Sequence, residues 1–325
     1  MSDNPIVEVR NLKKYFKVKT SLLNMEKSTL KAVDGVSLKI RSNETVGLVG
    51  ESGCGKTTLG RAILFLNEPT EGEVIFMGER LDKNNKEQMR AFRQSAQLIF
   101  QDPYASLNPR RTVISSVQDP LDVHKLGSMR ERREKAEEML AVVGLSKEQT
   151  EKFPHELSGG QRQRVVIARA MILGPKFIVC DEPVSSLDVS IRSQVLNLMK
   201  SIQKENNISY LFISHDLSVV RYLCSTVAVM YLGHIVEYGA KQKIFDETAH
   251  PYTRALMSAI PIPDVDVKNQ RVILTGDVPS PINPPAGCCF HTRCAYATDI
   301  CRQEPSDLHE LSAGHSVSCH HAGKV

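Results

Sequence analysis

The residues best suited to chemistry in this chain are those that handle phosphate. Gly50-Glu51-Ser52-Gly53-Cys54-Gly55-Lys56-Thr57-Thr58 fits the spacing G-x-x-x-x-G-K-[ST]. In such a loop successive backbone N–H groups form an anion nest, and the helix that follows points its positive end at the same place. A Cβ at Gly50, Gly53 or Gly55 is expected to hold the backbone away from the phosphates. Lys56 can reach β- and γ-phosphates, and the Thr57 hydroxyl can ligate Mg²⁺. Asp181-Glu182 is a second candidate: one carboxylate to hold Mg²⁺ through its waters, the next to take a proton from an attacking water. Gln101 and His215 are polar residues that each close an apolar run, and Ser158-Gly159-Gly160-Gln161 is a second glycine-rich helix start.

The elements around these residues are legible from pattern. Thr45–Val49 reads as a short buried strand, and Thr57 to Leu66 as the helix after the loop. Phe177-Ile178-Val179-Cys180 is continuously apolar, the mark of a strand buried on both faces, and Asp181-Glu182 sits at its carboxyl end, where α/β sheets bind ligands. Gln97–Phe100 and Tyr210–Ile213 are similar runs ending at Gln101 and Ser214-His215. Ser158 and Gln161 have capping-box spacing, as do Ser128 and Glu131 ahead of the apolar face Ala136, Met139, Leu140, Val143. Gly144 is placed to end that helix. Ile6–Leu12 and Val36–Ile40 alternate as half-buried strands do, with a patternless polar stretch, Lys17 to Lys31, between them. Gly72–Phe76, Val227–Met230 and His234–Glu237 complete the strands, Gly239 closing the last. The helix after Asp188 runs to about Glu205. Tyr15 or Phe16 could offer a ring for a base to stack on. His250–Met257 forms a short helix, and Pro261 to Pro285 is a Pro-rich crossing into a cysteine-dense tail.

Composition narrows the function classes. The net charge of +4 is small and scattered, so nucleic acid is not an expected partner. The run Arg130 to Lys135 alternates with acids and reads as a solvated helix face. No stretch of about 18 apolar residues is present, so no bilayer span is expected. The N-terminal residues lack the order of a secretory signal. A cytosolic protein with reduced cysteines is therefore expected.

The phosphate loop, Gln101, Leu157 to Gln161, Asp181-Glu182, Ser185 to Asp188 and His215 follow one another in the order of an ATP-binding-cassette ATPase. His250-Pro251-Tyr252, Val278-Pro279-Ser280-Pro281 and Gly287 to Cys294 resemble the tail of the peptide-permease type, closest to the F-type ATP-binding subunit of bacterial oligopeptide and dipeptide importers. The resemblance implies an α/β fold with a RecA-like parallel-sheet core, an antiparallel β subdomain and an inserted helical subdomain, about 102–165. The cassette domain would span 1–249 and a small Cys-rich C-terminal domain 250–325.

The resemblance also implies roles. Residues 50–58 and the adenine-stacking Phe16, which matches better than Tyr15, bind ATP. Thr57, Gln101 and Asp181 hold Mg²⁺. Glu182 is the hydrolytic base and His215 contacts the γ-phosphate. Ser158, Gly159, Gly160 and Gln161 act on the ATP of a partner subunit, and Asp188 crosses between sites. Implied partners are a paralogous ATPase subunit, two transmembrane permease subunits and an extracytoplasmic peptide-binding protein, at the cytoplasmic face of the bacterial inner membrane. Import of nickel or another small solute by the same machinery is an alternative. A soluble, non-transport cassette ATPase is a further one; against it, this chain has a single cassette and no long insert between Gln101 and Ser158. Ser186 departs from the family, where alanine is common.

Cys288, Cys294, Cys301 and Cys319 are separated by five, six and seventeen residues. Some peptide-permease ATPases carry an iron–sulfur cluster on similar cysteines, so a [4Fe–4S] centre is the expectation. Zinc with His291 or His320, or four unliganded thiols, are the alternatives. Cys54, beside Lys56 and a helix start, is expected to have a lowered pKa and to react quickly unless ATP covers it.

Overall fold

The computed structural model describes residues 5–19, 27–260 and 272–324. Parts of the polar stretch between the first two strands and of the Pro-rich crossing lie outside those residues. The chain forms two compact units. One comprises Leu81–Phe212 with Arg41–Glu44 and the segment ending at Ile6; the other comprises Val7–Ile40, Thr45–Arg80 and the chain from Ile213 onward.

The second unit begins with β1 (Val7–Lys19) and β2 (Lys27–Ile40), an antiparallel pair far longer than the alternation suggests. The reason is local. Register shifts interrupt the pairing between Val9 and Tyr15, and Asn11 takes a left-handed φ of 45°. Each bulge resets the inward–outward alternation, so the strand continues while its pattern does not. β3 (Thr45–Val49) is buried throughout and leads through the loop into α1 (Lys56–Ile63). β4 (Glu71–Phe76) and β5 (Glu79–Arg80) extend the antiparallel layer, ordered β2-β1-β4-β5.

The first unit contains α2 (Lys86–Ser95), β6 (Ala96–Ile99), α3 (Pro103–Ser106), α4 (Val113–His124), α5 (Met129–Val142) and α6 (Lys147–Thr150). It continues with α7 (Gly159–Met171), β7 (Phe177–Asp181), α8 (Val189–Asn206) and β8 (Ser209–Ile213). Helices α4, α5 and α7 pack on one another through Val113, Ile114, Val117, Leu121, Ala136, Leu140 and Val165, all buried. The Ser128/Glu131 capping box forms, worth about 1 kcal/mol to α5. The basic face of α5 is solvated, with Arg130 and Arg133 paired to Glu134 and Glu137 one turn on. Arg132 alone turns inward, to Asp122 at 3.0 Å. In this unit the strands stand in the order β8-β7-β6, with β6 and β7 parallel.

After β8 the second unit resumes with α9 (Leu217–Leu223), β9 (Thr226–Tyr231), β10 (His234–Ala240), α10 (Lys241–Asp246) and α11 (Pro251–Ser258). The tail adds α12 (Asp299–Gln303), β11 (His309–Ser312) and β12 (His315–Val317). Strand order here is β11-β12-β10-β9-β3, with β3 and β9 parallel and the others antiparallel. Gly239 does not close β10. It pairs with Val227 on one side and His315 on the other.

Glu237 of β10 is completely buried. Its carboxylate accepts the backbone N–H groups of Ala249 at 2.8 Å and His250 at 3.1 Å, and lies 2.7 Å from His315 Nε2. The charge is thus shared among three partners, as a buried carboxylate requires. No helix among the described residues is long and apolar enough to cross a membrane.

Candidate active site

The phosphate loop is built by β3, whose five residues are all buried, and by α1, whose N-cap is Gly55 with no side-chain cap. The first-turn N–H groups of α1 therefore lack the usual competitor for an anion. Lys56 is buried to 6 % exposure, and its ammonium donates to the carbonyls of Gly50 and Glu51, each at 2.8 Å. Two of the three glycines are required by the protein itself. A Cβ on Gly50 would lie 2.2 Å from the Met230 carbonyl oxygen, and one on Gly55 2.1 Å from that of Ala32. Gly53 has open space around it and is glycine for its φ of +79°. At Gly50 and Gly55 the fold itself therefore demands glycine, in addition to any room the loop leaves for phosphates.

Cys54 also departs from expectation. It is 3 % exposed, and burial pushes its thiol up despite the Lys56 ammonium 3.7 Å away. Desolvation of a thiolate here outweighs the nearby charge. Ser52 is exposed, while Thr57 and Thr58 are half-buried on α1. Glu51 is held by two residues that sequence spacing does not point to. The Arg293 guanidinium forks onto its carboxylate at 2.7 and 3.2 Å, and its backbone N–H donates to the Tyr252 hydroxyl at 2.8 Å.

On β1, Tyr15 is tied through its hydroxyl to Asp34, and burial with that carboxylate pushes the phenol up. Phe16 is half-buried, with the Lys14 ammonium 4.9 Å from its ring centroid. His215 is exposed between β8 and α9. It is flanked by Ser214, whose N–H donates to the Leu48 carbonyl at 3.2 Å, and by Asp216, which caps α9.

In the other unit, β7 carries Asp181, 1 % exposed, at its carboxyl end. Glu182 follows with φ 46°, a left-handed conformation costly for a residue with a side chain. Its carboxylate accepts from Gln101 Nε2 at 3.0 Å, so the ends of β6 and β7 bring two predicted residues together. The carbonyl of Glu182 accepts from the N–H and hydroxyl of Ser185, which fixes the turn. Asp188 caps α8 by accepting from the Ile191 N–H at 2.9 Å.

The predicted capping box at α7 forms. Ser158 Oγ accepts from Gln161 N–H at 3.3 Å, and Gln161 Oε1 accepts from Ser158 N–H at 2.9 Å. Gly160 is buried because α8 is close: a Cβ there would meet Ile191 Cγ2 at 2.3 Å.

In the tail the metal-centre expectation is not met: among the described residues no group of three or more His, Cys, Asp or Glu side chains could hold a metal ion. The thiols have separate neighbours. Cys288 is engaged by Cys289, whose hydrogen bond lowers its thiol to about 6. Cys301 Sγ lies 3.6 Å from both Thr298 Oγ1 and His321 Nε2. Cys294 and Cys319 are pushed up first by burial, Cys319 to about 11, and further by the charges of nearby thiols, Cys288 and Cys301 on both and Cys294 on Cys319. His291 and His320, the histidines of the zinc alternative, stand within hydrogen-bond reach of the backbone carbonyls of Cys288 and Glu304.

Comparison with known proteins places this geometry. Residues 33–185 match the family model described as "ABC transporter", and residues 236–301 that described as "Oligopeptide/dipeptide transporter, C-terminal region". The chain is 49 % identical over 318 residues to the oligopeptide transport ATP-binding protein AppF of Bacillus subtilis, covering 97 % of each chain. It is 46 % identical over 319 residues to the dipeptide transport ATP-binding protein DppF of Haemophilus influenzae, covering 98 % of this chain and 97 % of that one. Among solved structures, the dimeric post-hydrolysis state of the ATP-binding cassette MJ0796 with ADP and Pi aligns at TM-score 0.64 and 29 % identity, over 72 % of this chain and 98 % of that one. The chain belongs to the ABC transporter ATPases, in the branch formed by the ATP-binding subunits of oligopeptide and dipeptide importers.

Proposed function

We propose that this chain hydrolyses ATP at the cytoplasmic face of the bacterial inner membrane to power uptake of oligopeptides or dipeptides. The observation that carries the reading is Gln101 bonded to Glu182 at the ends of adjacent parallel strands, with the buried Asp181 beside them. Phosphoryl transfer asks mainly for positioning and charge neutralisation. Lys56 and the N–H groups of the phosphate loop neutralise the triphosphate. Thr57 and Asp181 suit Mg²⁺, being a hydroxyl and an acid of the hard-oxygen type that the ion prefers. Phe16 takes the adenine.

Glu182 accepts the proton of a water whose oxygen attacks the γ-phosphorus. The bond from that phosphorus to the β,γ-bridging oxygen breaks, and ADP leaves with the electron pair. Gln101 orients Glu182 and the water, and His215 meets the γ-phosphoryl oxygens. Ser158-Gly159-Gly160-Gln161 of one subunit serves the ATP held by its partner, a paralogous ATPase subunit, and Asp188 links the two sites. Two permease subunits and an extracytoplasmic peptide-binding protein complete the importer.

Glu182→Gln tests the reading. It should keep MgATP binding and lose turnover by roughly 10²–10⁴. Hydrolysis near the wild-type rate in that variant would remove Glu182 from the role of base.

A further inference from the structure

Glu51 poses an electrostatic problem. It is the second residue of an anion-binding loop, and a free carboxylate there would repel the phosphates the loop is built to hold. The tail answers it. Arg293 reaches Glu51 across 242 positions of sequence with both terminal guanidinium nitrogens, in the bidentate geometry that gives the strongest such pairs. The Arg293 side chain is 7 % exposed and that of Glu51 28 %, so water screens the pair only in part. Its guanidinium lies 6.0 Å from the centroid of the Tyr231 ring. That ring packs at 4.7 Å on Tyr252 and 5.2 Å on Phe290.

Tyr252 in turn fixes the backbone. Its hydroxyl takes the Glu51 N–H, and its own helix is moored at its N-terminus by the buried Glu237 carboxylate, which His315 of β12 also reaches. A continuous set of contacts therefore runs from the last strand of the chain to the second residue of the phosphate loop. The ATPase mechanism above uses none of it.

We propose that Arg293 and Tyr252 are positioning residues for the phosphate loop, Arg293 cancelling the Glu51 charge and Tyr252 fixing its peptide, so that the C-terminal segment sets the affinity for nucleotide. The inference rests on the ATP reading. It goes beyond that reading in making the tail a working part of the nucleotide site.

The test uses the full-length protein and equilibrium titration with MgATP at low and high salt. Arg293→Ala should weaken binding about 10-fold. The deficit should shrink as salt screens the uncovered carboxylate. Adding Glu51→Gln to Arg293→Ala should restore most of the affinity, because the repelling charge is gone. A merely structural contact predicts the reverse, since a second lesion would then leave affinity unchanged or lower.

Arg293→Lys keeps the charge but loses the fork, and should fall between wild type and Arg293→Ala. Should Arg293→Ala not fold by thermal melting, Arg293→Gln, which keeps a hydrogen-bond donor without the charge, carries the same comparison with and without Glu51→Gln. Binding by Arg293→Ala within twofold of wild type, or no recovery in the double variant, overturns the proposal. Wild-type protein that does not bind MgATP at all would overturn the ATPase reading, and this inference with it.

Discussion

The two glycine-rich helix starts, at α1 and at α7, differ in what they leave exposed. At α1 the cap is a left-handed glycine without a side chain, and the adjacent Lys56 is buried against loop carbonyls. At α7 the cap is Ser158, which with Gln161 satisfies two of the helix-start N–H groups internally. The first leaves its helix-start N–H groups without a side-chain cap beside a buried cation, the arrangement the proposed nucleotide site relies on. The second is a self-satisfied turn whose hydroxyl and amide side chains each accept a backbone N–H of the same turn. Similar glycine content thus answers different contacts, backbone carbonyls at α1 and a neighbouring helix's side chain at α7.

The contrast can be broken at its strongest point first. Lys56→Ala should weaken MgATP binding roughly 10–100-fold, the range for losing charge-assisted hydrogen bonds. Titration that shows no change would dissolve the difference between the two starts. Gly55→Ala should destabilise the fold by roughly 2–5 kcal/mol, combining a left-handed backbone with a clash against a carbonyl. Gly160→Ala meets the Ile191 side chain, its Cγ2 at 2.3 Å, rather than backbone and gains helix propensity, so its loss should be smaller, about 1–2 kcal/mol. Urea unfolding of the two variants side by side gives the ranking; equal losses would contradict it.

Ser158→Ala should cost about 1 kcal/mol through the lost cap and leave nucleotide binding by a single chain unaltered. Weakened titration in that variant would count against a role on a partner's nucleotide. The smallest effect concerns Cys54. Because burial raises its pKa above the ordinary thiol value of 9.0, the thiolate is scarce at neutral pH. Iodoacetamide labelling should stay slow until the pH climbs past that value, with ATP adding little protection. Rapid labelling at pH 7 would show a loop more open than this one.

Much of this arrangement was legible because each feature has a local cause. The continuously apolar β7, the capping boxes at Ser128 and Ser158, and the carboxylates at a strand end all follow from a few adjacent residues. Four features were not legible, for physical reasons. The bulges in β1 erase the alternation that would have revealed its length. The burial of Cys54 depends on tertiary packing, which reverses a shift that Lys56 alone would cause. The Arg293–Glu51 fork joins residues 242 positions apart, and no periodicity encodes such a pair. Likewise β12 is three residues long, too short to declare itself before its partner β10 is known.

The mooring of that last strand limits how the chain can be shortened. A protein cut before residue 315 would leave the Glu237 carboxylate with the N–H groups of Ala249 and His250 but without its imidazole neighbour, and would bare the backbone of β10 to any passing strand. Trimming such a subunit would therefore create a sticky sheet edge where the intact chain has none at β10.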